Sequence, residues 1–286
     1  MRMPLPSTPE GVSALRASVG ADAGSDRAEN KVIDGPGGEL RLRIIRPDGP
    51  VRAVFLNVHG GGWTIGAPEQ DDAYNERTAL ATGVATVSPD YRLAPEHTLA
   101  NQVADVNAAL AWIARVGNEE FGTERILIGG ASAGSHLASL AVLHARDELG
   151  IIERVAGASL LYGAYDISAS IAERLTTPQT FGLTAEFIRA TRQAIGSGDP
   201  EIWRNPKFSP IYADHSNLPP ALFTVGDIDP LLDDSRFLAA QWKAAGNEAR
   251  LDIWADGPHG FPNLISEFSE PVEARINAWI DSVLAS

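Results

Sequence analysis

Cysteine is absent from this chain of 286 residues. The sequence therefore excludes disulfide bonds, thiolate nucleophiles and zinc sites with cysteine ligands. Basic residues are also scarce, because 23 lysines and arginines stand against 37 aspartates and glutamates, which gives a net charge of −14. That charge disfavours nucleic acids and anionic membranes as partners, since both are bound through lysine and arginine contacts to phosphate. It is compatible with an uncharged substrate.

Long apolar runs are missing as well. No stretch approaches the roughly 18 apolar residues that a membrane helix needs. The first residues, MRMPLPSTPEG, contain one arginine but no apolar segment of the kind that a secretory signal carries. We therefore expect no membrane span and a cytoplasmic location. The length fits one large domain, or one domain with a modest insertion.

Short apolar segments alternate with helix-like segments over most of the sequence. The apolar segments are rich in β-branched residues and bounded by Gly, Pro or Asp, which predicts strands at 51–58, 84–88, 126–128, 158–161, 221–225 and 251–254. Helical patterns follow them at 71–81, 101–116, 133–149, 231–245 and 270–284. This alternation predicts a mostly parallel, doubly wound sheet with helices on both faces. The polar–apolar alternation of 39–45 predicts an antiparallel edge strand.

The stretch 166–210 interrupts this alternation. It contains a helical piece at 185–195, several prolines and glycines, and a group of aromatic residues. We predict an N-terminal cap segment at 1–35, an α/β core formed by 36–165 and 211–286, and a cap insertion at 166–210. The insertion would cover the carboxyl ends of the strands, where open α/β sheets bind their ligands. Residues 20–30 are small and polar and predict a loop.

A GxSxG motif follows the predicted strand at 126–128. The segment Gly130-Ala131-Ser132-Ala133-Gly134 leads directly into a predicted helix. Glycines two positions either side of the serine leave room for a sharp turn that lifts its hydroxyl clear of the sheet. The spacing predicts a nucleophilic serine, although a serine that only caps the helix would fit it too. The GxGxxG and GxxxxGK[ST] spacings of nucleotide sites are absent, and so is the metal-binding HExxH.

A second motif, HGGGW at 59–63, directly follows the strand at 51–58. Three consecutive glycines leave backbone N–H groups accessible to a ligand, as an oxyanion hole requires, although a flexible loop is the simpler alternative. In lipases and esterases a glycine-rich loop at this place in the chain order faces the GxSxG serine. The two motifs together are far more specific than either one alone.

Five segments together resemble the hormone-sensitive-lipase-like esterases of the α/β-hydrolase fold. They are HGGGW (59–63), DYRLAPEH (90–97), GGASAG (129–134), LPPALFTVGDIDPLLDD (218–234) and PHGF (258–261). The resemblance extends from about residue 40 to the end of the chain. It implies an α/β-hydrolase fold with a small helical cap. It also implies a carboxylic ester hydrolase without metal or cofactor, acting on small to medium uncharged esters, and it is compatible with a homodimer.

The resemblance assigns a catalytic triad. Ser132 would be the nucleophile, His259 the base and Asp229 the acid, in the chain order expected of this fold. The oxyanion-hole amides would be those of Gly61, Gly62 and Ala133. General chemistry supports these roles, because a serine needs an adjacent base, an imidazole can take and return its proton, and a carboxylate orients the imidazole.

Other residues compete for these roles. Asp227 is the competing acid, since a shift of one or two loop positions cannot be resolved from sequence, whereas Asp233 and Asp234 suit the start of a helix. The remaining histidines have structural interpretations. We expect His59 to anchor the glycine loop, His97 to lie in a structural loop and His136 to lie on a helix flank, while His144 and His215 are expected at the surface.

Two residues depart from the family pattern. Related esterases commonly have an acidic residue where this chain has Ala131, and often Gly or Ala where it has Ser135. The first change removes a charge beside the serine and places a supporting polar network in doubt. Aromatic residues are candidates for lining the substrate pocket, although each fits core or cap packing equally well: Trp63, Phe181, Phe187, Trp203, Phe208 and Phe261.

The same triad would serve other reactions. An amidase, an arylacetamide deacetylase and an acyltransferase share this chemistry, and only the pocket and its access to water distinguish them. A non-catalytic ligand-binding receptor on the same fold is the alternative from another class, because related plant hormone receptors resemble this family. Such receptors are expected to lack a triad residue, and all three candidates are present here.

Overall fold

The computed structural model of the protein describes residues 9–18, 24–168, 170–177, 180–196 and 203–285. Eight strands form one sheet: β1 Glu29–Gly35, β2 Gly38–Ile45, β3 Val54–Val58, β4 Ala85–Pro89, β5 Ile126–Ala131, β6 Val155–Leu161, β7 Ala221–Gly226 and β8 Ala249–Trp254. Their spatial order is β1-β2-β4-β3-β5-β6-β7-β8. The β1–β2 and β2–β4 pairs are antiparallel, and the other neighbouring pairs are parallel. All the parallel strands therefore end at one edge of the sheet.

Helices lie on both faces of this sheet. Their bounds are α1 Pro9–Ser18, α2 Asp72–Thr82, α3 Leu99–Val116, α4 Ala133–Asp147, α5 Ser170–Leu175, α6 Ala185–Ala194, α7 Leu232–Ala244, α8 Phe261–Leu264 and α9 Ser266–Ala285. One apolar cluster packs α3, α4 and α7 against the sheet, and a second lies between α9 and the opposite face. Val54 and Leu56 of β3 belong to the first cluster, and Phe55 between them belongs to the second. The central strands are therefore apolar on both faces, as their sequences predicted.

The predicted strands and helices overlap observed ones, and the differences have local causes. Helix α3 begins two residues before its predicted start, because Thr98 forms a capping box. Its hydroxyl accepts a hydrogen bond from Asn101 N at 3.4 Å, and the Asn101 side chain accepts one from Thr98 N at 3.1 Å. Such caps satisfy N–H groups that lack partners within the helix.

The predicted edge position of 39–45 is wrong. That segment forms the antiparallel strand β2, but β1 pairs outside it and is the edge of the sheet. The loop predicted at 20–30 overlaps the start of β1 at Glu29, and the part of it at 20–23 lies outside the described residues. The side chains of β1 are mostly exposed, so its sequence carries no buried alternation. Its pairing rests on backbone hydrogen bonds, which any sequence supplies.

Helices α1, α5 and α6 lie in the predicted cap segments. Ala172 of α5 and Ile188 of α6 pack with Leu231 in a small separate apolar cluster. The division of the chain at residues 35, 165 and 210 stays a prediction, and residues 1–8, 19–23, 169, 178–179 and 197–202 of those segments lie outside the described part. None of the described helices combines the length and apolarity that crossing a bilayer requires.

Candidate active site

Ser132 lies at the sharp turn between β5 and α4. Its backbone has φ 55° and ψ −120°, a conformation that is strained for any residue with a side chain. The turn is held by a hydrogen bond of 2.9 Å from Ser132 N to Leu161 O. A Cβ atom on Gly130 or Gly134 would lie 2.4 Å or 2.0 Å from Val58 O. Both glycines of the GxSxG motif are therefore required by the close approach of β3.

The side chains of Ser132, His259 and Asp229 form one hydrogen-bonded chain. Ser132 Oγ lies 2.9 Å from His259 Nε2, and His259 Nδ1 lies 2.9 Å from Asp229 Oδ2 and 3.1 Å from Asp229 Oδ1. A carboxylate accepts hydrogen bonds, so Nδ1 carries the proton and Nε2 is free to accept the proton of the serine. Asp229 and His259 follow β7 and β8, whose ends lie at the same edge as the end of β5.

The competing carboxylates lie elsewhere. Asp229 is 3% exposed, and its Oδ1 also accepts a hydrogen bond of 2.8 Å from Leu231 N, whereas Asp227 is exposed. Asp233 forms an ion pair with Arg236 on α7. Asp234 is buried below the cap, where it accepts hydrogen bonds from two backbone N–H groups, and burial raises the pKa of its carboxyl group to about 7. The geometry therefore favours Asp229 over its neighbours as the partner of the histidine.

The glycine-rich loop passes directly beside Ser132. A Cβ atom on Gly60 would lie 2.9 Å from Ala131 O and 3.6 Å from Ser132 Cβ. Gly61 and Gly62 have φ of 120° and 57°, which glycine adopts without strain. In the described part of the chain, no protein acceptor lies within hydrogen-bond distance of three amides at this place, those of Gly61, Gly62 and Ala133. These donors are available to a bound oxygen atom.

Trp63 and His136 hold this loop in place. Trp63 O accepts hydrogen bonds of 2.9 Å from Ala94 N and from Gln102 Nε2, and Trp63 Nε1 lies 3.2 Å from His136 Nδ1. His136 Nε2 donates to Phe208 O at 2.6 Å. Complete burial lowers the pKa of His136 to about 4, so the ring is neutral at pH 7 and can accept at Nδ1 while it donates at Nε2. His136 thus joins the glycine loop to the end of the predicted cap insertion.

Two other histidines are also structural. His59 is fully buried and stacks on Tyr91 with ring centroids 4.2 Å apart, and burial lowers the pKa of His59 to about 4. The predicted surface position of His215 is wrong. Its ring is 6% exposed, because Nε2 donates to Pro210 O at 2.9 Å and Asn247 Nδ2 donates to the backbone carbonyl of His215 at 2.6 Å. His144 is partly buried on α4.

A cavity of about 460 Å³ lies against Ser132 and His259, between the carboxyl edge of the sheet and the described cap helices. Trp63 and Phe187 line it, as the sequence predicted for substrate-binding candidates. The cavity wall also contains residues that the sequence analysis did not select: Leu15, Tyr162, Leu183, Ile188, Thr191 and Leu231. Tyr162 could have been found from its position directly after β6, at the edge that carries Ser132. Leu15 on α1 gives no such signal.

The other four aromatic candidates do not line this cavity. Phe181 is 64% exposed, and Trp203 lies under the guanidinium group of Arg192 at 4.2 Å from its ring centroid. Phe208 packs against the larger apolar cluster of the core. Phe261 is fully buried among other aromatic rings beneath His259. The contacts of Trp203, Phe208 and Phe261 are those of core and cap packing, whereas Phe181 is largely exposed.

Comparison with known proteins agrees with this architecture. A protein family described as "alpha/beta hydrolase fold" matches residues 55–263. The chain is 33% identical over 249 residues to the carboxylic ester hydrolase LipN of Mycobacterium tuberculosis, an alignment that covers 81% of this chain. The chain spans 63% of the length of that relative.

Solved structures of similar proteins cover nearly the whole chain. An esterase from Pyrobaculum calidifontis superposes with a TM-score of 0.88 at 31% identity, over 98% of this chain and 95% of the other. A bacterial heroin esterase gives a TM-score of 0.85 at 30% identity, over 99% and 92%. The predicted fold class, a mostly parallel doubly wound sheet, is confirmed. With a family match over 55–263 and an eight-stranded sheet of this order, the chain belongs to the α/β-hydrolase fold family.

Proposed function

We propose that the protein is a serine carboxylic ester hydrolase. The observation that carries the proposal is the chain of contacts from Ser132 through His259 to Asp229, with 2.9 Å between the serine oxygen and the imidazole. It lies on the wall of a cavity and beside backbone amides that have no protein acceptor. The similar proteins described above are named as esterases, which supports the same chemistry here.

The reaction would proceed by two acyl transfers. In the first, Ser132 Oγ attacks the ester carbonyl carbon as its proton passes to His259 Nε2, and the carbonyl electron pair moves onto oxygen. The resulting oxyanion accepts hydrogen bonds from the amides of Gly61, Gly62 and Ala133. The carbon–oxygen bond to the alcohol then breaks, and His259 returns the proton to the leaving alcohol. Water repeats the sequence on the acyl-enzyme and releases the carboxylic acid.

The cavity supports a small to medium uncharged substrate. Its volume of about 460 Å³ lies within the range of ordinary small-molecule sites. Trp63, Phe187 and Ile188 contribute apolar surface to its wall. The burial of an apolar acyl or alcohol group against such side chains contributes about 0.8 kcal/mol for each CH₂ group.

A comparison of ester and amide substrates tests the proposed reaction. We expect p-nitrophenyl butanoate to be hydrolysed with a higher kcat/KM than the matched butanoyl p-nitroanilide. A faster anilide would assign the protein to the amidases, and transfer of the acyl group to an added alcohol in preference to water would assign it to the acyltransferases. A fluorophosphonate probe supplies the independent measurement, because it reacts only with an activated serine. Absence of both turnover and labelling at Ser132 would favour the binding-protein alternative.

Gly61→Ala should lower kcat for ester hydrolysis by about 100- to 1000-fold, the usual effect of losing one oxyanion-hole donor. The added Cβ atom would lie 2.2 Å from Ile65 O, a backbone atom that cannot move aside without moving the loop. The displaced amide of residue 61 would no longer point at the oxyanion. Steady-state kinetics on p-nitrophenyl butanoate, with thermal unfolding to verify the fold, would measure the loss.

Gly38→Ala is the matched control. Gly38 has φ 114°, close to the 120° of Gly61, but a Cβ atom there has nothing within 4 Å. It lies in the hairpin between β1 and β2, outside the cavity wall. This variant should lose about 1 kcal/mol of stability from backbone strain and keep the wild-type kcat. Equal kcat values for the two variants would contradict the assigned role of the Gly61 amide.

A further inference from the structure

A small hollow adjoins the active-site cavity. Its volume is about 30 Å³, which is room for roughly two water molecules or one hydroxyl-sized substituent. Four residues line both the hollow and the main cavity, so the two share a wall beside Ser132: Asp71, Ala131, Tyr162 and Asn263. Most of the lining is apolar, and a few polar side chains lie within it, among them Asp71, Asn57 and Glu273.

The side chain of Asp71 does not make the hydrogen bond that is usual at its position in the helix. It occupies the N-cap position of α2, where an aspartate normally accepts a hydrogen bond from the first turn of the helix, but its side chain makes no capping hydrogen bond. Its Oδ2 instead faces Asn57 Nδ2 at 3.4 Å, and that nitrogen makes a shorter hydrogen bond of 3.0 Å to Asn75 Oδ1. The side chain of Gln70 also hydrogen-bonds to the carboxyl group of Asp71. Asp71 lines both the hollow and the main cavity, and a carboxyl group can accept more than two hydrogen bonds, so a ligand can still bind to it.

The surroundings of Asp71 disfavour charge. Burial raises the pKa of its carboxyl group to about 7, so that the neutral acid and the carboxylate are both populated near neutral pH. The neighbouring carboxylate of Glu273 is already paired with Arg77 at 2.7 Å. A cationic ligand group would have to lose its own hydration here, whereas a neutral polar group would not carry that cost.

Tyr74 also lines the hollow, but its hydroxyl oxygen has no accessible surface. A group in the hollow can therefore contact the ring of Tyr74 and not its oxygen atom. The carboxyl group of Asp71 is the acceptor that remains within reach. A hydroxyl group is a small neutral substituent that can donate a hydrogen bond to it.

Ala131 lies where the hollow meets the main cavity and lines both spaces. Its side chain is a single methyl group and does not fill the hollow. The carboxyl group of Asp71, which lines both spaces as well, can therefore be reached from the substrate cavity.

We propose that this hollow is a subsite for a hydroxyl group of the substrate, so that the protein prefers hydroxylated esters to their unsubstituted counterparts. The hydroxyl donates a hydrogen bond to the carboxyl group of Asp71. The inference rests on the proposed ester hydrolase function and adds a substrate class to it.

Two pairs of esters test the subsite. Ethyl 3-hydroxybutanoate against ethyl butanoate places the hydroxyl on the acyl side, and 2-hydroxyethyl butanoate against propyl butanoate places it on the alcohol side. Initial rates in a pH-stat at pH 7 give kcat/KM for each ester. In at least one pair, the wild-type protein should favour the hydroxylated ester by about tenfold, the scale of one net hydrogen bond to a carboxyl group.

Variants identify the group responsible. Asp71→Ala should bring the ratio of the favoured pair close to one. Asp71→Leu removes the same acceptor but keeps a side chain of similar size, so it remains informative if Asp71→Ala does not fold. Tyr74→Phe is the control, because it removes an oxygen atom that a group in the hollow cannot contact, and it should keep the wild-type ratio.

The possible failures are distinguishable. Hydrolysis of both esters of each pair with equal kcat/KM by the wild-type protein would overturn the subsite and leave the proposed function intact. A preference that persists in Asp71→Ala and Asp71→Leu would overturn it as well. If no ester of either pair is hydrolysed and no fluorophosphonate label is found, the proposed function itself is contradicted, and so is the subsite that depends on it.

Discussion

Ser132→Ala is expected to lower kcat for p-nitrophenyl butanoate by about a million-fold, the scale found when a serine protease loses its nucleophile. The substitution removes the oxygen atom that forms the acyl-enzyme, so only attack by water from solution remains. His259 and the backbone amides stay in place, and the residual rate above that of water would come from them. Stopped and continuous spectrophotometric assays would measure kcat, and mass spectrometry would report the loss of fluorophosphonate labelling.

Ser135→Ala is the matched control for this variant. Ser135 lies three residues further on, in the first turn of α4, and its buried hydroxyl lies 2.8 Å from the hydroxyl of Tyr165. Its removal should cost about 1 kcal/mol of stability, the typical net contribution of one hydrogen bond, with kcat within tenfold of the wild-type value. A comparable loss of kcat in both variants would show that the effect at position 132 comes from disturbing the turn.

The predictable part of the site is the part fixed by backbone geometry. A Cβ atom on Gly130 or Gly134 would collide with a backbone carbonyl oxygen of another segment. Both positions therefore require glycine, and the turn can be predicted from the local sequence. The strands β5, β7 and β8 are apolar on both faces or bounded by turn residues, so they can be recognised in the sequence. Ser132, Asp229 and His259 could therefore be predicted to follow the ends of strands. Because parallel strands end at one edge, three residues far apart in sequence could be predicted to converge.

The sequence could not distinguish side chains within the same loop or the same insertion. Asp227 and Asp229 are two residues apart, and only the fold shows that one carboxylate is buried against His259 while the other is exposed. Phe187 and Phe181 likewise lie in one insertion. Helix α6 turns Phe187 toward the cavity, whereas Phe181 precedes the helix and is exposed. Both residues are phenylalanines in the same insertion, so composition does not predict which of the two side chains lies in the cavity and which is exposed.

Asp71 illustrates a different limit. An aspartate at the start of a helical pattern is typical of an N-cap or first turn, and nothing in the sequence indicates that the cap hydrogen bond is not made. The site depends on Asp71 lying beside Ala131, which is sixty positions later in the sequence. Contacts of this kind depend on how α2 packs beside the turn that carries Ser132, and a single sequence does not report such packing.

Asp229→Asn is expected to lower kcat by about 10⁴-fold, as the same change does in serine proteases. An asparagine can present its N–H group to His259 Nδ1, which moves the imidazole proton to Nε2. In that tautomer Nε2 donates and cannot accept the proton of Ser132. KM should change little, because the side chain of Asp229 is fully buried and does not line the cavity. Steady-state kinetics on p-nitrophenyl butanoate would separate the two parameters.

Asp227→Asn makes the same chemical change two residues earlier, at an exposed carboxylate. It should leave kcat at the wild-type value. Because both variants make the same Asp→Asn change, a difference in kcat between them reports the position of the carboxylate. A large loss in Asp227→Asn with none in Asp229→Asn would transfer the acid role to the exposed residue and require the loop after β7 to rearrange during catalysis. The contacts of Asp229 argue against that movement, since its Oδ1 is held by Leu231 N at 2.8 Å as well as by the imidazole.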